Sequence, residues 1–157
     1  MSRTAEPVAR WAVLTSLLLS VAGLAISAYL TFTHFEGTKY LACSGNGVIN
    51  CGLVTTSAQS YFLGMPVAVL GLANYLVMTA LTTPWAWRSR HYGLHVFRFA
   101  VGIGSMIFVL WLLIAELLII DHICLWCTGV HVVTFALLIV LAQVSPAQLG
   151  WTRSATQ

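Results

Sequence analysis

Charge is what this sequence has least of: of 157 residues, four are Asp or Glu and seven are Lys or Arg. Soluble domains carry roughly 25% charged residues, against 7% here, so a water-solvated globule is excluded and the bilayer becomes the expected solvent. The few basic residues do not gather with polar and aromatic side chains into a patch for phosphates, which sets nucleic acid aside as a partner. Period-2 alternation and β-hairpin turn signals do not compete with the long apolar runs, so helices rather than barrel strands are left to satisfy the backbone in lipid. No Cys-x-x-Cys-His occurs, because Thr128 follows Cys127. His34, His95, His122 and His131 are also not placed deep on facing helices as axial haem ligands would be.

What the sequence does have is apolar length, with 59% hydrophobic residues. Four runs, 11–32, 61–81, 99–120 and 123–144, each approach the roughly twenty residues that cross about 30 Å of hydrocarbon. The expected fold is an all-α integral membrane protein, one domain over 1–157 forming a four-transmembrane-helix bundle with loops at 33–60 and 82–98. Arg3 and Arg10 ahead of a stretch ending near Ala25-Ile26-Ser27-Ala28 resemble a secretory signal, but the apolar run is too long for one and is read as a span.

Orientation follows from the basic residues in short flanks. Arg3 and Arg10 precede the first run, Arg88, Arg90 and Arg98 separate the second from the third, and Arg153 follows the fourth. Those segments, and with them both termini, are expected in the cytoplasm. The 33–60 loop carries only Lys39 against Glu36, and the joint at Asp121-His122 has no Lys or Arg, so both are expected to face outward.

All four cysteines fall on that outer side. Cys43 and Cys51 lie in the 33–60 loop, and Cys124 and Cys127 at the mouth of the fourth run. An oxidising compartment permits disulfides there. Glycine and asparagine between Cys43 and Cys51 let a short loop fold back, so these two can meet. Cys124-Leu125-Trp126-Cys127 places two sulfurs one helical turn apart. With Asp121 as the expected N-cap, Cys124 falls where unpaired N–H groups and the helix dipole favour a thiolate. A four-thiolate zinc site needs two short chelating spacings, and one pair here is too widely spaced. A Cys-x-x-Cys bridge closes too short a loop to stabilise much, so redox exchange is the better account. A non-catalytic scaffold whose cysteines staple loops is the alternative.

Among the remaining polar residues, Glu116 lies within an apolar run about a turn from its outer end, where anchoring or a hydrogen bond to a neighbouring helix competes with proton transfer. Asp121 and His122 are read as capping or thiolate-tuning groups. Gly102 and Gly104 are read as close-contact positions between helices.

Cys43-Ser44 followed by Cys51, then Ser57, Ser60, Gly64 and Pro66, and Cys124-Leu125-Trp126-Cys127-Thr128 with His131, together resemble the bacterial homologues of vitamin K epoxide reductase. An unrelated quinone-dependent disulfide-forming family has the reverse pair order. The resemblance implies an extracytoplasmic loop capping a quinone pocket near Cys127, with Ser57, Ser60 and His131 at the pocket. It implies catalysis by Cys43, Cys51, Cys124 and Cys127, passing electrons from a thioredoxin-like (DsbA-like) protein to menaquinone or ubiquinone, with vitamin K quinone or epoxide as further acceptors. No metal or haem is expected. His131 stands where the animal enzymes carry tyrosine. About a dozen residues follow the fourth run, so the partner is expected to be a separate extracytoplasmic protein and the location a bacterial plasma (inner) membrane.

Overall fold

The computed structural model describes residues 8–43 and 47–149. Arg3 and Arg153, counted above for orientation, and Ser44 of the Cys43-Ser44 pair lie outside the described residues. Helix α1 runs Arg10–Glu36, 27 residues, and ends at Gly37, whose φ of 99° only glycine adopts freely and whose N–H donates to the Thr33 carbonyl. Its buried positions are mostly small: Ala12, Ser16, Ser20, Gly23, Ser27, Leu30 and Thr33. They recur every three or four residues, so one stripe of the helix lets neighbours approach closely.

After a 3-10 turn at Thr38–Tyr40 comes the short helix α2, Cys51–Thr56. Asn50 caps it, its Oδ1 accepting the Leu53 N–H at 3.0 Å. The expected span 61–81 is divided. Tyr61–Phe62 (β1) pairs antiparallel with Met65–Pro66 (β2), and helix α3 occupies only Val67–Leu81, 15 residues. The reason is local, since Leu63 and Gly64 take positive φ of 52° and 81° and reverse the chain. Pro66 lacks the N–H a helix interior needs and so serves as the residue before the first turn.

The expected loop at 82–98 is largely helical. Thr83 accepts the Ala86 N–H to start α4, Pro84–Arg88, and α5 then begins at Tyr92. α5 runs to Ile114 and continues as a wider π-helical turn, Ala115–Ile120, that closes at left-handed Asp121. α6 spans Leu125–Leu149. The described helices therefore extend the expected runs 11–32 and 99–120 to 10–36 and 92–120, and replace 123–144 by 125–149.

Arg98, counted as a loop charge, is instead buried inside α5. Its Nε–H donates to the Leu81 carbonyl at 2.8 Å, and its guanidinium lies 3.6 Å from the Trp87 ring centroid. It thereby satisfies a carbonyl that the end of α3 would leave unpaired. Trp87 in turn donates its indole N–H to Ser16 Oγ at 3.3 Å, joining α4 to α1.

α1 packs against α3 and α6, and α5 against α6 and α3. α1, the 92–120 helix and α6 are long and apolar enough to cross a membrane, and α3 is a shorter apolar helix. Polarity is arranged inside-out. Ser16, Ser20, Ser27 and Thr82 are buried, whereas Leu14, Leu18, Leu110, Val132 and Phe135 are exposed. That exterior suits hydrocarbon and not water.

A close helix contact is made at Gly23 of α1, where the Tyr75 ring of α3 occupies the space a Cβ would need. Tyr75 cannot easily retreat, because its hydroxyl is bonded to Thr134 Oγ1 of α6 at 2.8 Å. Gly23→Val is therefore expected to destabilise the detergent-solubilised protein by about 1–3 kcal/mol, the usual cost of overpacking. Adding Tyr75→Ala should recover part of the lost melting temperature, and purely additive losses would mean the two positions do not meet.

Candidate active site

The segment Leu41 to Cys43 is held from two sides. The Tyr29 hydroxyl donates to the Tyr40 carbonyl at 2.8 Å and accepts the Ala42 N–H at 2.8 Å. The Trp126 indole N–H donates to the Ala42 carbonyl at 3.1 Å, and the two rings pack with centroids 4.7 Å apart. α1 and α6 thus clamp the backbone that delivers Cys43. Cys43 is disulfide-bonded to Cys51, the first residue of α2, with Cα atoms 6.0 Å apart.

On the far side of that disulfide the chain is stitched to the link between α5 and α6. Ile49 and Ile123 form a parallel bridge, the Ile123 N–H donating to the Val48 carbonyl at 2.9 Å and the Asn50 N–H to the Ile123 carbonyl at 3.1 Å. Just after this bridge, on its two segments, stand Cys51 and Cys124. Both are buried, at 1% and 0% exposure, in one cluster with Val54, against which Cys43, Cys127 and Trp126 pack. The two cysteine pairs are therefore packed together, with Cys124 and Cys127 as free thiols.

The start of α6 differs from the expectation that Asp121 caps it. Asp121, with φ 57°, terminates the π-helical turn instead, and the helix begins only at Leu125. Cys124 takes the capping place: its carbonyl accepts the Thr128 N–H at 2.9 Å and its Sγ the Cys127 N–H at 3.4 Å. A sulfur receiving a backbone N–H at a helix start is favoured as the thiolate. Cys124, just outside α6, is accordingly held below the usual thiol range, chiefly by its side-chain hydrogen bond with Cys127 and against the opposing effect of burial.

Beside Cys127 lies a cavity of about 540 Å³, within the range that holds small organic ligands. Its wall is mainly apolar and includes Cys127, His131, Glu116, Asn74, Ser57 and Ser60. The serine hydroxyls are already used as donors, Ser57 to the Val54 carbonyl at 2.8 Å and Ser60 to the Ser57 carbonyl at 2.7 Å. His131, one turn beyond Cys127, is buried, and its Nδ1 has no protein partner. A buried ring nitrogen left unpaired beside an apolar cavity and a thiol fits a carbonyl-bearing ring.

A sequence model described as the vitamin K epoxide reductase family matches residues 14–142. The chain belongs to that family. Membership makes it a membrane oxidoreductase of thiols and disulfides, linked in general to quinone. The matched stretch holds all four cysteines and the cavity wall.

Of the residues expected to act, Cys43, Cys51, Cys124 and Cys127 lie in the cysteine cluster and Ser57, Ser60, His131 and Cys127 on the cavity wall, whereas Asp121 and His122 lie outside both. Gly102 meets Leu141 as a close-contact position would, but Gly104 has open space beside it and lines the cavity instead. Tyr29, which clamps the loop, escaped sequence reading because a tyrosine late in an apolar helix carries no such signal. Asn74 carried a signal, an amide inside an apolar run, and faces the cavity. Tyr29→Phe keeps the ring against Trp126 but removes both hydrogen bonds. The segment 40–43 should then open about tenfold more often, given about 1–2 kcal/mol for the pair, read as faster backbone hydrogen exchange there and unchanged exchange in α3.

Proposed function

We propose that the protein is a quinone-dependent thiol oxidoreductase of the bacterial cell membrane that reoxidises a separate thioredoxin-like (DsbA-like) protein to support disulfide formation. The observation that carries this reading is the packing of Cys51 on Cys124 in one buried cluster whose other thiol, Cys127, borders the cavity. In this reading the chain crosses the membrane four times. α3 supplies about 22 Å of the second crossing at ~1.5 Å per residue, and the hairpin at 61–66 completes it. Arg10, Arg88 and Arg90 lie at the end opposite the cysteines, which favours a cytoplasmic placement for that end and an extracytoplasmic one for the redox pairs.

The chemistry is a sequence of thiol–disulfide exchanges. Cys43 is partly exposed and Cys51 is buried against Cys124, so the partner's thiolate attacks the Cys43 sulfur and Cys51 leaves. The second partner thiol then displaces Cys43, giving an oxidised partner and two reduced loop thiols. Cys51 attacks the Cys124–Cys127 disulfide at Cys124, Cys127 leaves as thiolate, and Cys43 resolves the bond by re-forming Cys43–Cys51. Two electrons and two protons finally pass from the Cys124/Cys127 pair to menaquinone or ubiquinone, and the pair returns to its disulfide. A bound quinone supplies the two-electron sink. His131 offers a ring N–H to one of its carbonyls, while Ser57, Ser60 and Cys127 line the same pocket.

With reduced partner and a soluble quinone analogue, the purified protein should oxidise the partner, and Cys124→Ala or Cys127→Ala should abolish turnover. Activity surviving both replacements would remove the mechanism, and the same assay with vitamin K epoxide tests that acceptor. His131→Ala should raise the quinone KM about tenfold, as loss of one good hydrogen bond does, with partner KM unaltered.

Acid-quenched mass spectrometry separates the roles of the loop cysteines. Cys43→Ser should accumulate a Cys51–Cys124 linkage, whereas Cys51→Ser should show no Cys43–Cys124 linkage. The opposite pattern would reverse the order of transfer.

A further inference from the structure

Reoxidising the Cys124/Cys127 pair releases two thiol protons beside a cavity whose wall is mainly apolar, and something must carry them. Glu116 is placed for this. It lies on the π-helical turn of α5, is 5% exposed, and borders the cavity. Cys127 lines the same cavity, so the carboxyl and the thiol border one shared space. Among the described residues lining the cavity it is the one carboxylic acid, and no ion pair accompanies it. Its backbone is fixed as well, since its carbonyl accepts the His122 N–H at 3.2 Å where the chain reverses toward Cys124. π-helical turns are uncommon and recur at functional sites. An ionisable group in a membrane helix with neither counter-ion nor exposure is not an interfacial anchor.

We propose that Glu116 is the proton-transfer residue of the terminal step, taking the proton from the Cys127 thiol and delivering it to an oxygen of the electron acceptor in the cavity. The proposal rests on the quinone-linked reading above. The step balances. The two thiols of Cys124 and Cys127 lose two electrons and two protons and form one S–S bond, and the quinone gains both and becomes quinol. Glu116 takes one proton from sulfur and gives one to oxygen, ending as it began, and the second proton comes from Cys124. His131, the other ionisable group near Cys127 on the cavity wall, stands one turn further along α6 and has the separate task of donating to a carbonyl.

The decisive comparison is between the full cycle and its quinone-free half in detergent-solubilised full-length protein. Glu116→Gln preserves size and hydrogen bonding but cannot shuttle a proton. Its kcat for quinone reduction should fall about 100-fold, the lower range for loss of a general acid–base group, with the quinone KM within about twofold. Glu116→Asp should recover a substantial part of the rate. In a single turnover without quinone, the pre-oxidised variant should oxidise one equivalent of reduced partner as fast as wild type.

A fall in single-turnover rate matching the fall in kcat would assign Glu116 a structural task and overturn the proposal. So would an unchanged kcat in a preparation whose wild type reduces quinone. If Glu116→Gln does not assemble, Glu116→Asp carries the test, with reduced kcat and unaltered KM expected and a wild-type kcat contrary. Absence of quinone reduction by the wild type itself would instead remove the underlying reading of the function.

Discussion

Two backbone hydrogen bonds, between Ile123 and the stretch Val48–Asn50, join the loop that carries Cys43 and Cys51 to the short link between α5 and α6. Neither segment has enough regular structure of its own to fix a sulfur in space. Paired with each other, they set Cys51 and Cys124 side by side in a cluster closed to water. Thiol–disulfide exchange needs a direct approach of thiolate to disulfide, so whatever the loop pair does to the helix pair depends on this bridge. The clamp of Tyr29 and Trp126 supports it from the other side by holding the backbone before Cys43. The loop is consequently anchored on α1 and α6 at one end and on the α5–α6 link at the other, with the disulfide between the anchors.

The inside-out polarity of the helices serves the same site. In hydrocarbon, apolar side chains gain nothing by facing inward, and helices associate through small residues and hydroxyl hydrogen bonds. The Ser16, Ser20, Gly23 and Ser27 stripe of α1 provides that contact, with Tyr75 laid against Gly23. Toward the end that bears the cysteines the helices instead leave a cavity, walled by apolar side chains and edged by Cys127, Glu116 and His131. Packing is tight where Tyr75 and Arg98 tie the helices together and open where the thiol lies.

Much of this was legible in the chain. The apolar runs, the gathering of the cysteines at one end and the Cys-x-x-Cys at the head of a helix all follow from composition and spacing, because lipid enforces long helices and a helix enforces one turn between such cysteines. Element ends were less legible. A run of apolar residues cannot announce that Leu63 and Gly64 reverse the chain before α3, because lipid-facing and hairpin residues there share one composition. Arg98 read as a loop charge because its partners, the Leu81 carbonyl and the Trp87 ring, are distant in sequence. Asp121 read as a cap because aspartate favours that role, yet the left-handed conformation it adopts ends one helix and leaves the next to be capped by a cysteine sulfur.

By itself, then, the sequence determined the solvent, the helical class and which four sulfur atoms are available, since these depend on local composition and short-range spacing. Tertiary structure decided which sulfur is buried against which, that Cys124 caps its own helix, and that Glu116 and Cys127 border one cavity. The first of these rests on contacts between segments far apart in the chain, joined by two hydrogen bonds whose donors and acceptors are backbone groups that every sequence possesses. The others rest on where the π-helical turn ends and the next helix begins, which composition does not announce.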